Sequence, residues 1–196
     1  VKMHFTISSI VIFLAVLSIL TIPFQSEKRQ RDKNVPFISI PRGSLLTVAF
    51  ITFFASLGEG AIADWSAIFL ISVLSINDGS AALGFTIFSI CMFAMRLMGD
   101  RISFKYGPSK TARYSGLVAL IGSIILLTFE SFFPLLIGFG LIGLGIAVII
   151  PLAFSRAGND KNISQGTAIA SIATLGYGGM LIGPLFIGLI AQTTSI

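Results

Sequence analysis

Charge is what this 196-residue chain has least of: Asp, Glu, Lys and Arg together make up 11% of it. A water-covered domain carries about 25%, so something other than water must cover most of this surface. Cysteine is almost missing too. Cys91 stands alone, which excludes a disulfide framework, and in its apolar run it reads as a small packing residue. With one histidine and one cysteine there is no His/Cys ligand set, and no H-E-x-x-H, Walker lysine or G-x-S-x-G pattern occurs. A Glu and an Asp inside one apolar run could in principle serve intramembrane hydrolysis, but the paired aspartyl motif is lacking. The chain is therefore expected to be a non-enzyme with no metal and no cofactor.

Apolar residues, at 55%, fill the space that charge leaves. Six hydrophobic segments approach or exceed the ~20 residues that cross about 30 Å of hydrocarbon. They cover residues 5–24, 44–74, 81–98, 111–129, 132–154 and 166–191. All are read as helices, because lipid cannot satisfy an open sheet edge. The first segment lacks a basic n-region and an A-x-A-like site, so it reads as a span rather than a cleaved signal. The fold class expected is an all-α polytopic membrane bundle of six transmembrane helices.

Most of the Lys and Arg behind the net charge of +5 lie in connections. Lys28, Arg29, Arg31, Lys33 and Arg42 follow the first segment; Arg101, Lys105 and Lys110 follow the third; Arg156 and Lys161 follow the fifth. The connections at 75–80 and 130–131 have no Lys or Arg. Positive-inside asymmetry places the three basic connections in the cytoplasm and both ends of the chain outside. It also accounts for the basicity without nucleic acid, for which no motif is present. The start at Val1 and the outward ends predict a piece of a longer polypeptide. The lipid bilayer itself is the first partner, and a bacterial inner membrane is the expected location. His4 lies near an outer interface and reads as interfacial.

Within the second segment stands Ser56-Leu57-Gly58-Glu59-Gly60-Ala61-Ile62-Ala63-Asp64-Trp65. A charge at the bilayer centre costs about 2.5–3.5 kcal/mol on insertion scales, so such residues face a protein interior or a wet cavity. At a 1.5 Å rise, Glu59 lies roughly 22 Å beyond Ser44, close to the midplane. A carboxylate there could load and release a proton during a cycle, or it could serve assembly by meeting a polar partner. Asp64 is about 140° round the helix from Glu59, whereas Ser56, Glu59, Ala63 and Ser66 form one small polar stripe. Trp65 either faces a cavity or anchors at the outer interface. The 31-residue length and the glycines at 58 and 60 predict a tilted or locally broken helix. Arg96 and Asp100, at i and i+4, share a face at the end of the third segment.

Three local patterns resemble the major facilitator superfamily of secondary transporters. Gly99-Asp100-Arg101, followed by Gly107-Pro108 and Lys110, is similar to that family's cytoplasmic loop motif between helices eight and nine, with Gly107 displaced. Gly179-x-x-x-Gly183-Pro184 resembles its G-x-x-x-G-P signature in helix eleven. Glu59 to Ser66 is similar to helix seven of a bacterial sugar-permease-like group. The resemblance implies helices six to eleven of a twelve-helix fold. Residues 1–24 are then helix six, 25–43 the basic central loop, and 44–196 the C-terminal bundle, with helix twelve and the N-terminal half missing.

It further implies alternating-access transport of a small polar solute, either proton-coupled or facilitative. Glu59, Asp64, Trp65 and Tyr177 are the coupling or substrate candidates. Arg96, Gly99, Asp100, Arg101 and Gly107 are the cytoplasmic gate candidates, with interfacial charge as the plainer reading of the arginines. Gly179, Gly183 and Pro184 serve packing or flexure. The alternative is a truncated, non-transporting membrane protein or pseudogene fragment.

Overall fold

A computed structural model describes residues 43–161 and 163–194, together with residue 41 and scattered positions between 6 and 17. Those scattered positions form part of a separate unit, are helical, and expose apolar side chains such as Ile12 and Phe13. Most of the expected helix over 1–24, the loop over 25–43, and His4 lie outside the described residues.

The second unit is built of helices, and no strand occurs among the described residues. Its elements are α1 (Ser44–Leu74), α2 (Asp78–Tyr106), α3 (Pro108–Thr128), α4 (Phe132–Ile146), α5 (Ile149–Gly158) and α6 (Gln165–Thr194). Five spans are long and apolar enough to cross a membrane, α4 and α5 together making one of them. Large apolar side chains point outward along them, Leu127 being 88% and Phe133 76% exposed. Such a surface suits lipid and would be insoluble in water. The chain is an all-α, multi-pass membrane protein.

Local chemistry sets the boundaries. Ser75, in the left-handed conformation, ends α1 and returns its N–H to the Ile71 carbonyl at 2.8 Å. The Asn77 side chain accepts the Ser80 N–H at 2.9 Å and caps α2. Asp78 in the first turn of α2 and Lys105 in its last turn both oppose the helix dipole favourably. Gly107 alone joins α2 to α3, at φ 87° and ψ 148°, a region open essentially to glycine. Pro108 then starts α3, where its missing N–H costs nothing.

Two boundaries differ from the sequence expectation. The third segment was expected to end at 98, with Gly99 to Gly107 in a loop; instead α2 runs on to Tyr106. The polar turns beyond Met98 lower hydropathy without breaking the helix. Nor is α1 broken at Gly58 and Gly60, since it is continuous over all 31 residues. Glycine weakens a helix by about 1 kcal/mol but keeps its N–H and C=O in the ladder.

The break falls instead at Ala147–Val148, between α4 and α5. Pro151 explains it: the ring supplies no N–H and collides with the carbonyl four residues back, which is that of Ala147.

The helices approach closely through residues without a side chain. On the α1–α6 seam, a Cβ on Gly183 would lie 2.6 Å from the Leu57 carbonyl oxygen, and one on Gly179 would strike the Phe53 carbonyl. On the α3–α4 seam, a Cβ on Gly145 would lie 2.5 Å from the Ala119 nitrogen. Two apolar clusters result. One joins Leu70, Phe88, Met92, Leu135 and Phe139 of α1, α2 and α4; the other joins Leu45, Ala49, Ala153, Ala157 and Ile172 of α1, α5 and α6.

Candidate functional site

Glu59 sits at the middle of α1, fifteen residues from Ser44, and Arg96 sits on α2, ten residues from Tyr106. At 1.5 Å per residue those offsets are about 22 and 15 Å from the basic ends of the two helices. The difference of about 7 Å is within the reach of an arginine side chain. Arg96 Nη2 donates to Glu59 Oε1 at 3.4 Å, with side-chain exposures of 44% and 20%. The pair therefore lies at hydrocarbon depth but on an open face of the bundle. One oxygen meets one nitrogen, so the remaining guanidinium donors are not committed to Glu59.

This pairing is not the one that helical spacing offers. Arg96 and Asp100 share a helix face by spacing, yet no ion pair joins them among the described residues. Because α2 continues to Tyr106, Arg96 lies well inside the helix, while Asp100 and Arg101 are exposed one turn closer to the basic end. Gly99 is buried, and a Cβ there would lie 2.6 Å from Cγ1 of Val148. The motif glycine thus holds α2 against the break between α4 and α5.

The polar stripe expected on α1 opens only in part. Ser56 and Ser66 are buried, Glu59 is half-buried and Ala63 is exposed. Thr52 and Ser56 lie beside Gly176 of α6, whose Cβ would meet Thr52 Cγ2 at 3.0 Å. Asp64 is exposed on another side of the helix, with no ion pair among the described residues. The structure therefore does not bring the two carboxylates together.

Trp65 is separated from Glu59 as well. It lines an apolar crevice of about 310 Å³ with Ile62 and Phe69 of α1, Leu126 of α3, Phe139 of α4 and Ile187 of α6. Ser66 lines the same crevice, and its hydroxyl is buried with no hydrogen-bond partner among the described residues. Tyr177 is 65% exposed on α6. Pro184 leaves the carbonyl four residues back, that of Met180, without its usual donor. Gly60 presents its bare Cα there, since a Cβ would lie 2.5 Å from Met180 O.

Two features were missed at the level of sequence. The Glu59–Arg96 contact spans 37 positions, and only matching the depths of the two residues could have suggested it. Arg156, at the end of α5, donates to Ser44 Oγ at 3.4 Å and pairs with Asp160 at 3.7 Å. It ties the start of α1 to the end of α5. Its i, i+4 spacing to Asp160 was visible, but not that the Asp160 side chain is buried, at 7% exposure, beneath a half-exposed Arg156.

Several curated proteins are similar to this sequence. The chain is 36% identical over 196 residues to the uncharacterized transporter y4wD of Sinorhizobium fredii, covering 100% of the chain and 52% of that protein. It is 38% identical over 161 residues to an uncharacterized MFS-type transporter of Yersinia pestis, covering 82% of the chain and 42% of that protein. It is 30% identical over 196 residues to the membrane protein MosC of Rhizobium meliloti, covering 98% of the chain and 48% of that protein. The chain spans about half the length of the curated relatives it matches. No family model matches it, and no solved structure matches it significantly.

Proposed function

We propose, from the premise that this chain belongs to the MFS-type transporters, that it forms the C-terminal wall of an alternating-access carrier for a small polar solute. Its helices rock against a companion N-terminal bundle around a site near the midplane. The protein catalyses no covalent chemistry in this role. The observation that carries it is the Glu59–Arg96 ion pair, made by residues of two different membrane-length helices on an open face.

Each charge alone costs about 2.5–3.5 kcal/mol in mid-membrane, so the pair is stable only while both partners are ionised and facing. Protonation of Glu59 removes one partner and releases Arg96. The freed guanidinium lies about 15 Å from the basic end of α2. It then either snorkels toward that end or takes another anionic or polar group in the cavity. Proton binding is thereby tied to how α1 and α2 sit against each other. Asp64, on a different face, belongs to the outer gate in this scheme. Gly99, Asp100, Arg101 and Gly107 form the cytoplasmic gate, with Gly99 seated on the α4–α5 break.

Uptake of a panel of labelled sugars and other polar solutes by vesicles carrying the complete gene product tests this. With Glu59→Gln, accumulation driven by an imposed proton gradient is lost while equal-concentration exchange persists. Unchanged accumulation removes Glu59 from coupling.

A further inference from the structure

At the opposite corner of the bundle from Trp65, α2 and α3 diverge from Gly107 and both pack on α4, leaving a groove of about 590 Å³ between them. Its walls are Met95 and Ile102 of α2, Val118 of α3 and Leu144 of α4. Lys110, Tyr106 and Tyr114 stand at its mouth. Met95 lies eleven residues from Tyr106, and Val118 ten residues from Pro108, so the groove runs about 15 Å along the helices. That is half of a ~30 Å hydrocarbon core, the depth of one leaflet.

The charge in the sequence that surrounds Lys110 is mostly of one sign. Between positions 100 and 113 stand Arg101, Lys105, Lys110 and Arg113 against the single acid Asp100, all exposed. None of the four cations takes part in an ion pair among the described residues. Lys105 instead lies over the Tyr106 ring, 5.2 Å from its centre. The small polar group nearest the mouth is already satisfied, as Thr111 donates to the Gly107 carbonyl at 2.9 Å.

We propose that this groove is a seat for one anionic phospholipid, with an acyl chain along Met95, Ile102, Val118 and Leu144 and the phosphate at Lys110. Two observations on different scales converge on that occupant. An apolar slot as deep as one leaflet fits a lipid chain, and a free anion would use only its mouth. Lys110 at the mouth, within a stretch that carries three net positive charges between positions 100 and 113, selects an anionic headgroup over a zwitterionic one, as basic pockets between transmembrane helices do. Tyr106 and Tyr114 are placed to hydrogen-bond the glycerol and phosphate oxygens at the interface, where tyrosine is favoured. Solute transport plays no part in this inference.

The test is native mass spectrometry of the full chain released from mixed micelles containing equal amounts of dioleoyl phosphatidylglycerol and dioleoyl phosphatidylcholine. A phosphatidylglycerol adduct retained over the phosphatidylcholine one is expected. Lys110→Gln, at an exposed position, is expected to lower that adduct about five-fold, the worth of one basic residue at a membrane surface. Val118→Trp, which fills the slot, is expected to abolish it. Equal retention of the two lipids overturns the proposal, as does parental retention by Lys110→Gln. Displacement by glycerol phosphate at the same concentration as the lipid also overturns it, because the chain would then contribute nothing. A dimer mass that excludes phosphatidylglycerol assigns the groove to a second copy instead.

Discussion

Glu59 and Arg96 meet at 3.4 Å across α1 and α2, although Asp100 stands one turn from Arg96 on the same face of α2. Each is the other's partner at hydrocarbon depth. Neutralising either one strands its partner, and neutralising both strands nothing. Glu59→Gln and Arg96→Gln are each expected to lower resistance to unfolding, with the double variant recovering part of the loss. A double-mutant cycle in detergent should give a coupling of about 0.5–3 kcal/mol. Strict additivity would mean that the two charges do not interact.

Adjacent glycines on α6 should behave oppositely. A Cβ on Gly179 strikes the Phe53 carbonyl, which belongs to a helix backbone and cannot turn aside, whereas one on Gly178 meets nothing within 4 Å. Gly179→Ala is expected to destabilise by about 1–3 kcal/mol through overpacking. Gly178→Ala should be neutral or stabilise by up to about 1 kcal/mol through helix propensity. Thermal melts of the two variants side by side provide the check.

The single-residue junction at Gly107 is expected to be intolerant for a different reason. Space is open around it, but φ 87° with ψ 148° suits glycine alone. Gly107→Ala should cost about 1–3 kcal/mol, and Gly116→Ala, in an open helical position, should not. If both melt alike, the backbone at 107 is not held in this conformation.

Ser66 is the one buried side-chain oxygen without a partner among the described residues. Ser66→Ala removes an unsatisfied hydroxyl with little loss of volume. It should raise stability by about 1–3 kcal/mol, read as a shift in the denaturation midpoint. A fall in stability would show that the hydroxyl has a partner.

Much of the fold was legible because lipid imposes a simple rule on sequence. The bounds of α1 were read at Ser44 and Leu74, where they are found, because a predominantly apolar run lies between two polar connections. The end of α2 was not. Asp100, Arg101 and Lys105 reduce hydropathy, but backbone hydrogen bonding carries the helix on through them to Tyr106.

The break before α5 had a visible cause in Pro151, which a count of apolar residues ignores. Gly58 and Gly60 looked like the better breakers, but Gly60 is the residue that lets α1 reach Met180 of α6. At the candidate site, Glu59 stood out as a charge in an apolar run. Its partner did not, since helical spacing offered Asp100 to Arg96 and only the packing of α1 on α2 offers Glu59.

Proton movement evoked by solute is the most direct measure of whether the Glu59–Arg96 pair couples transport. Vesicles of low buffering capacity carrying the complete gene product, with a pH-sensitive dye outside, are presented with the solutes that exchange. Proton coupling through Glu59 predicts external alkalinisation on solute addition, and its loss in Glu59→Gln with solute exchange intact. Equal alkalinisation by the parent and Glu59→Gln would contradict it.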